Sequence, residues 1–155
     1  MITVNLAHPG DVIQVRSLFS EYASQIDFSS VDLEREIENL PGEYTPPSGC
    51  ILLAKDGADA VGCVAVRHMS EDVCEMMRLY VKPAFREKGV GRKLTESAIE
   101  EARARGYRIM KLSILPSMNE SRRLCESLGF RKTTSYGPNP VKGAMSMLLD
   151  ITASP

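Results

Sequence analysis

The chain has 155 residues, 43% of them apolar and 25% charged, with a net charge of −1. That suits one soluble domain around one core, and the near-neutral balance excludes a polybasic surface for nucleic acid or an anionic membrane. Four cysteines without a C-x-x-C pair and only two histidines give no zinc site, no run reaches membrane-spanning length, and the N-terminus lacks the basic start and apolar stretch of a signal peptide, so a reducing cytoplasm is the expected compartment.

"ITVNLA" alternates like a strand, and "HPGD" supplies Pro9 and Asp11 for a helix's first turn. Val12, Val15, Phe19 and Tyr22 recur at helical spacing, which predicts an amphipathic helix over about 10–24. Ser29 with Asp32 resembles a capping box and opens a second helix carrying Leu33, Ile37 and Leu40 on one face. "LPGEYTPPSG" cannot continue that helix and reads as a loop. "CILLAKDGADAVGCVAVRH" is two strands around the turn signal Asp56-Gly57, and "DVCEMMRLYV" is a third. Val90, Leu94, Ala98 and Ala102 mark a helix from Gly89 to Arg105, stopped by Gly106. "YRIMKLSIL" is a strand. Met118, Ser121, Leu124, Cys125 and Leu128 share the face of a late helix that ends at Gly129. "FRKTTSY" and "GAMSMLLDI" are strands joined across "GPNP". The predicted order is β-α-α-β-β-β-α-β-α-β-β, a single α/β domain spanning 1–155 with a mixed sheet and helices on its faces.

The stretch "RLYVKPAFREKGVGRKL" sets an apolar strand, a proline bend and two glycines among basic residues at the start of a helix. The first amides of a helix have no partner within it, and its dipole places partial positive charge there, so an anion docks readily. Gly89 and Gly91 keep side chains off those amides, while Arg86, Lys88, Arg92 and Lys93 add charge. The loop can cradle a diphosphate; a solvated basic helix start with glycines for turning is the plainer reading. "GVGRKLT" lacks the first glycine of a Walker loop, and Leu94 stands where a dinucleotide fingerprint needs its third glycine.

At Arg86-x-x-Gly89-x-Gly91 the sequence resembles the GNAT superfamily of acyl-CoA-dependent N-acyltransferases. The likeness extends through "EMMRLYVKPAFREKGVGRKL", the helix end "LCESLGF" and "SYGPNPVKGAMSMLL", and "LPGEYTPP" resembles a branch of small bacterial members. The resemblance implies a mixed, mostly antiparallel sheet of six to seven strands flanked by four helices. Strands 4 and 5 splay in a V that takes the pantetheine arm. It also implies acetyl-CoA as co-substrate and no metal. Leu79 and Val81 then offer main-chain groups to the pantetheine, with Tyr80 between them, and Arg86, Glu87, Lys88, Gly89, Val90, Gly91, Arg92 and Lys93 form the diphosphate loop. Asn119 stands one residue after the position, here Met118, where many members carry a CoA-contacting asparagine.

Attack on a thioester needs a neutral amine, while a free alkylamine has a pKa of about 10. Glu75, eleven residues before Arg86, is the first candidate base, with a strand-edge ion pair as its bland alternative; His68 is the second candidate. Period-2 alternation puts Glu75, Met77, Leu79 and Val81 on one face, unless a bulge intervenes. The amide of Val81 is the candidate donor to the developing oxyanion. Many members place a proton-donating tyrosine where this chain has Cys125; Cys125 itself or Tyr136 are the replacements, against an inert core cysteine. Glu21, Tyr22, Tyr44 and Asn139 are the candidate acceptor-binding residues. The reading is an N-acetyltransferase for a small-molecule or peptide amine; a non-catalytic acyl-CoA sensor is the alternative and an unrelated nucleotide module a distant third. Members are often dimers, which leaves a homodimer open.

Overall fold

The structure is a computed structural model that describes residues 1–25, 31–134 and 143–152. Its elements follow the predicted order: β1 (Ile2–Leu6), α1 (Val12–Gln25), α2 (Val31–Glu38), β2 (Cys50–Asp56), β3 (Asp59–Ser70), β4 (Val73–Val81), α3 (Val90–Ala104), β5 (Ile109–Ile114), α4 (Asn119–Ser127), β6 (Arg131–Thr133) and β7 (Met145–Asp150). Short 3₁₀ turns at Pro9–Asp11, Gly42–Tyr44 and Pro83–Phe85 join them. The expected first helix starts two residues late because Pro9–Asp11 forms its own turn, with the Asp11 carboxylate accepting from the His8 amide at 2.9 Å. Leu40, expected on α2, lies beyond the helix end yet stays buried. The Ser29 cap falls outside the described residues.

One seven-stranded sheet has the order β1-β2-β3-β4-β5-β7-β6, antiparallel throughout except for β4 and β5. Both faces are covered. On one, α3 lays Val90, Leu94, Ala98 and Ala102 against Leu52, Val64, Cys74, Met110 and Leu112, and Cys125 of α4 joins them. On the other, Val15, Leu18 and Phe19 of α1 meet Leu53, Cys63, Ala65 and Tyr44. Complete burial of a side chain such as Leu94 or Phe19 contributes about 2 kcal/mol. These two apolar layers fix the sheet between the helices.

Among the described residues the only parallel pair is also the shortest contact between long strands. β4 and β5 pair at Val73–Ile109, Cys74–Met110 and Glu75–Lys111, and then part. β4 runs on to Val81 and β5 to Ile114 without pairing to each other, so a V opens between them. Main-chain groups along such an unzipped edge need another partner, which is what an extended amide-bearing arm supplies.

A second irregularity lies in β4. Its register with β3 shifts between Cys63–Tyr80 and Ala65–Met77, so two β4 residues, Arg78 and Leu79, oppose the single residue Val64. Arg78 takes the left-handed conformation, φ 59°, that lets the extra residue fit. The bulge overturns the expected alternation. Met76, Leu79 and Val81 pack toward the α3 face, whereas Met77 and Tyr80 pack toward α1. Glu75, opposite Arg67 in the ladder, therefore shares its face with Met77 and Tyr80 rather than with Leu79 and Val81.

Candidate active site

The helix start behind the V has the geometry of an anion nest. Gly89 precedes α3 with φ 81°, a conformation that disfavours any side chain, and a Cβ there would meet nothing within 4 Å. The amides of Lys88, Gly89, Val90, Gly91 and Arg92 donate to no acceptor among the described residues, and the first amide satisfied is that of Lys93, at 3.1 Å from the Gly89 carbonyl. Gly91 sits close to Leu124 of α4 and Val81 of β4, so the nest is held at the mouth of the V. These features fit a diphosphate.

The basic side chains are used differently from expectation. Lys93 turns away and donates from Nζ to the Ile2 carbonyl of β1 at 3.1 Å, and its amide is already taken. Arg86 folds back over the Tyr80 ring, donating from Nε to the Val81 carbonyl at 2.8 Å and from Nη2 to Gln25 at 2.9 Å. Arg92 reaches the Ser127 hydroxyl at 2.7 Å. Lys88 stands over the Phe85 ring with its amine exposed, beside Glu87. Asn119, the first residue of α4, is exposed.

The main chain of Val81 is turned outward from β3. The Lys82 amide bonds the Val61 carbonyl at 2.9 Å, which makes those two a hydrogen-bonded pair. Antiparallel alternation then turns the Val81 amide and carbonyl away from β3, toward the V. Tyr80 projects to the α1 face, where its hydroxyl donates to Glu21 at 3.1 Å and accepts from Gln25 at 3.1 Å; Glu21 also pairs with Lys82 at 3.4 Å.

Glu75 lies at the last paired position before the V and is only 6% exposed. Its Oε1 accepts from Arg67 of β3, at 2.8 Å from Nε and 2.6 Å from Nη2, while Arg67 Nη1 binds Glu43. Burial opposes the charge on Arg67, and the two carboxylates outweigh it and push its pKa up. Glu75 is thus an oriented carboxylate, fixed by a cation that a second glutamate shares. Its neighbours continue the row: Lys111 on β5, Leu148 on β7 and Arg131 on β6 stand in register on the same face.

Other candidates separate from this cluster. Cys125 has no exposed surface and sits in the α3-side core, where burial pushes its thiol up to about 11; it can reach no ligand as a donor. Tyr44 is 1% exposed, with its hydroxyl on the Met77 sulfur at 3.7 Å, so it is a core residue rather than an acceptor contact. His68 pairs with Cys74 on the opposite face from Glu75, and its Nδ1 lies 3.2 Å from the Tyr107 hydroxyl. That hydroxyl gives its one proton to the Ser48 carbonyl at 2.7 Å, so the imidazole donates through Nδ1. It does not join the candidate site. Tyr136 and Asn139 lie outside the described residues. Sequence reasoning missed Arg67, Arg78, Glu36 and Glu43; charges scattered over 43 positions carry no spacing signal, and only the tertiary pairing gathers them.

The fold that carries the V and the helix-start amides is shared with known proteins. The model of the "Acetyltransferase (GNAT) family" matches residues 13–130. The chain belongs to that family. An N-acetyltransferase of Schizosaccharomyces pombe is 33% identical over 148 residues, covering 93% of this chain and 91% of that one. Human N-acetylaspartate synthetase is 33% identical over 87 residues, covering 56% of this chain and 29% of the synthetase. A Salmonella typhimurium structure, assigned as an acetyltransferase and solved with its cofactor acetyl-CoA, superposes with a TM-score of 0.78 at 22% identity, covering 97% and 94% of the two chains. This GNAT-family acetyltransferase accordingly has the mixed sheet and four helices expected of it, and no helix among the described residues is long and apolar enough to cross a membrane.

Proposed function

We propose that the chain transfers an acetyl group from acetyl-CoA to a primary amine by direct attack. The observation that carries the reading is the V after Glu75–Lys111, opening beside amides of residues 88–92 that have no acceptor. The diphosphate occupies the nest, with Lys88 and Arg92 supplying charge. The pantetheine amides extend along the exposed edge of β4 at Leu79 and Val81. That directs the thioester toward the parting point, where Glu75 lies.

The amine nitrogen forms a bond to the acetyl carbon and the carbon–sulfur bond breaks, releasing CoA as a thiolate. Glu75 accepts the amine's proton through a bridging water, held in orientation by Arg67. The Val81 amide receives the negative charge that develops on the carbonyl oxygen. A thiol of pKa about 8.5 leaves readily as its anion, so the burial of Cys125 removes little; Tyr136 is the remaining candidate donor to it. The acceptor enters from the α1–α2 face, along Tyr22. The name of the human relative supports a small-molecule amine over a peptide. The site is assigned to the cytoplasm and to a chain that can act alone or as a homodimer.

Incubation with acetyl-CoA and a panel of amines, with free thiol followed, tests this. Thiol release with at least one amine, lost in Glu75→Gln, is the expected result. Binding of acetyl-CoA with no release for any amine would replace the reading by that of an acyl-CoA sensor.

A further inference from the structure

Arg78 is the most unusual residue on the acceptor face. It occupies the bulge with φ 59°, a conformation that costs an arginine roughly 1 kcal/mol or more and persists only where the surroundings impose it. Its guanidinium is largely withdrawn from water, with 18% of the side chain exposed. Nε and Nη2 form a fork on Glu36 of α2, at 2.8 and 3.1 Å. The Tyr22 ring lies beneath, 5.7 Å from Cζ to centroid. A buried ion pair of this kind adds little stability over well-packed apolar side chains, so a structural tie alone does not explain it.

One part of the fork is left over. Glu36 leaves Arg78 Nη1 without a carboxylate; its neighbour is the Tyr22 side chain, and it is not sealed from solvent. Tyr22 is in the same condition: its hydroxyl has no acceptor among the described residues and is not enclosed. Burial raises the Tyr22 pKa, with the neighbouring Arg78 charge opposing, so the phenol keeps its proton and remains a donor. Two donors therefore stand together on the acceptor wall, one charged, both already held in place. Both stand on the α1 side of the sheet, as Glu75 does, and Arg78 lies three residues beyond Glu75 on β4, roughly 10 Å or less of bulged strand. A small amino acid bridges that separation with hydrogen bonds at each end.

We propose that Arg78 Nη1 and the Tyr22 hydroxyl bind a carboxylate on the acceptor, so that the preferred acceptors are amino acids or similar amino-carboxylates rather than simple amines. Glu36 holds the fork from behind and orients it; the incoming carboxylate takes the remaining edge. The inference rests on the acyl-transfer reading above and narrows its acceptor.

The test uses the full chain, acetyl-CoA and matched acceptor sets: an α-amino acid, its carboxamide and its decarboxylated amine, drawn from acidic, polar and apolar side-chain classes. The free acid should exceed its carboxamide and decarboxylated partners in kcat/KM by about 100-fold, because a site built to pair a group rejects analogues that lack it. Tyr22→Phe should raise KM for the acid about tenfold with kcat nearly kept, and so should narrow the preference for the acid over its decarboxylated amine about tenfold. Arg78→Lys, which keeps a charge but loses the fork, should narrow the preference further, with melting temperature confirming that it folds. Equal use of acids and decarboxylated amines, or a Tyr22→Phe loss that falls equally on both, overturns this inference while leaving acyl transfer standing. Thiol release with none of the acceptors, despite calorimetric binding of acetyl-CoA, overturns acyl transfer and the inference together.

Discussion

The two sides of the V are built from different materials. The proposed donor side is backbone: amides of residues 88–92, a left-handed Gly89, and the outward main chain of Val81. The proposed acceptor side is side chain: Glu75 on Arg67, Arg67 on Glu43, Arg78 on Glu36, Tyr80 on Glu21. Acetyl-CoA presents the same diphosphate and pantetheine whatever the acceptor, and backbone can hold such groups with few demands on sequence. The acceptor differs among enzymes, and only side chains vary enough to select it. Substitutions should accordingly split into those that alter use of acetyl-CoA and those that alter use of the amine.

The largest effect belongs to the acceptor side. Glu75→Gln should lower kcat about 10²- to 10⁴-fold with the KM for acetyl-CoA little changed. Without the base, the remaining rate should climb with pH toward the amine's own pKa of about 10, a steeper profile than wild type. A Glu75→Gln enzyme with unaltered kcat would erase the division of labour on that side.

On the donor side, Gly89→Val forces a branched residue into φ 81° at the centre of the nest. The expected cost is about 1–2 kcal/mol, seen as a KM for acetyl-CoA raised about tenfold and a lower melting temperature. The acceptor preference should not move. A changed ranking of amines in this variant would show that the two sides are not separable.

Two lysines of the same loop sharpen the donor side further. Lys88→Ala removes a cation beside the nest and should raise the KM for acetyl-CoA about three- to fivefold, a charge-assisted contact partly screened by solvent. Lys93→Ala removes a contact to the Ile2 carbonyl on the far side and should change that KM less than about twofold. Steady-state kinetics on the pair decides whether position or mere charge matters.

Legibility followed the same divide. "FREKGVGRKL" announces the nest because glycine at a helix start is a local statement about backbone, and the structure places unpaired amides there. Element order was readable for a similar reason: apolar spacing along α3 and the turn at Asp56-Gly57 are short-range signals. The acceptor face was not readable. Alternation fails at Arg78, because one inserted residue moves Leu79 and Val81 to the other face from Glu75, and no propensity marks an arginine as a bulge. Arg67 meets Glu43 across a loop, and Arg78 meets Glu36 from a helix 42 positions earlier; pairing at such range is decided by packing. Tyr44 shows the converse, a residue in a turn-rich loop that the core nevertheless swallows.

The smallest effect is remote from both sides. The His8 amide, followed by Lys55, holds the Asp11 carboxyl below its ordinary 3.8. A depressed folded pKa gives stability that is complete above the unfolded value and is lost as pH falls through the folded one. Asp11→Asn should therefore lie under about 1 kcal/mol below wild type at pH 7, and the two should converge as pH falls below the depressed pKa of the folded state. Melting curves across that range check it, and they leave the contrast between the two walls untouched.

The most direct measurement of the central claim is amide hydrogen exchange with and without acetyl-CoA, read residue by residue. The structure predicts strong new protection at the amides of Lys88 through Arg92 and at Val81, with little change at Lys93, whose amide is already bonded to Gly89. Protection that bypasses residues 88–92 while acetyl-CoA binds, or heat of binding with no change along β4, would contradict it.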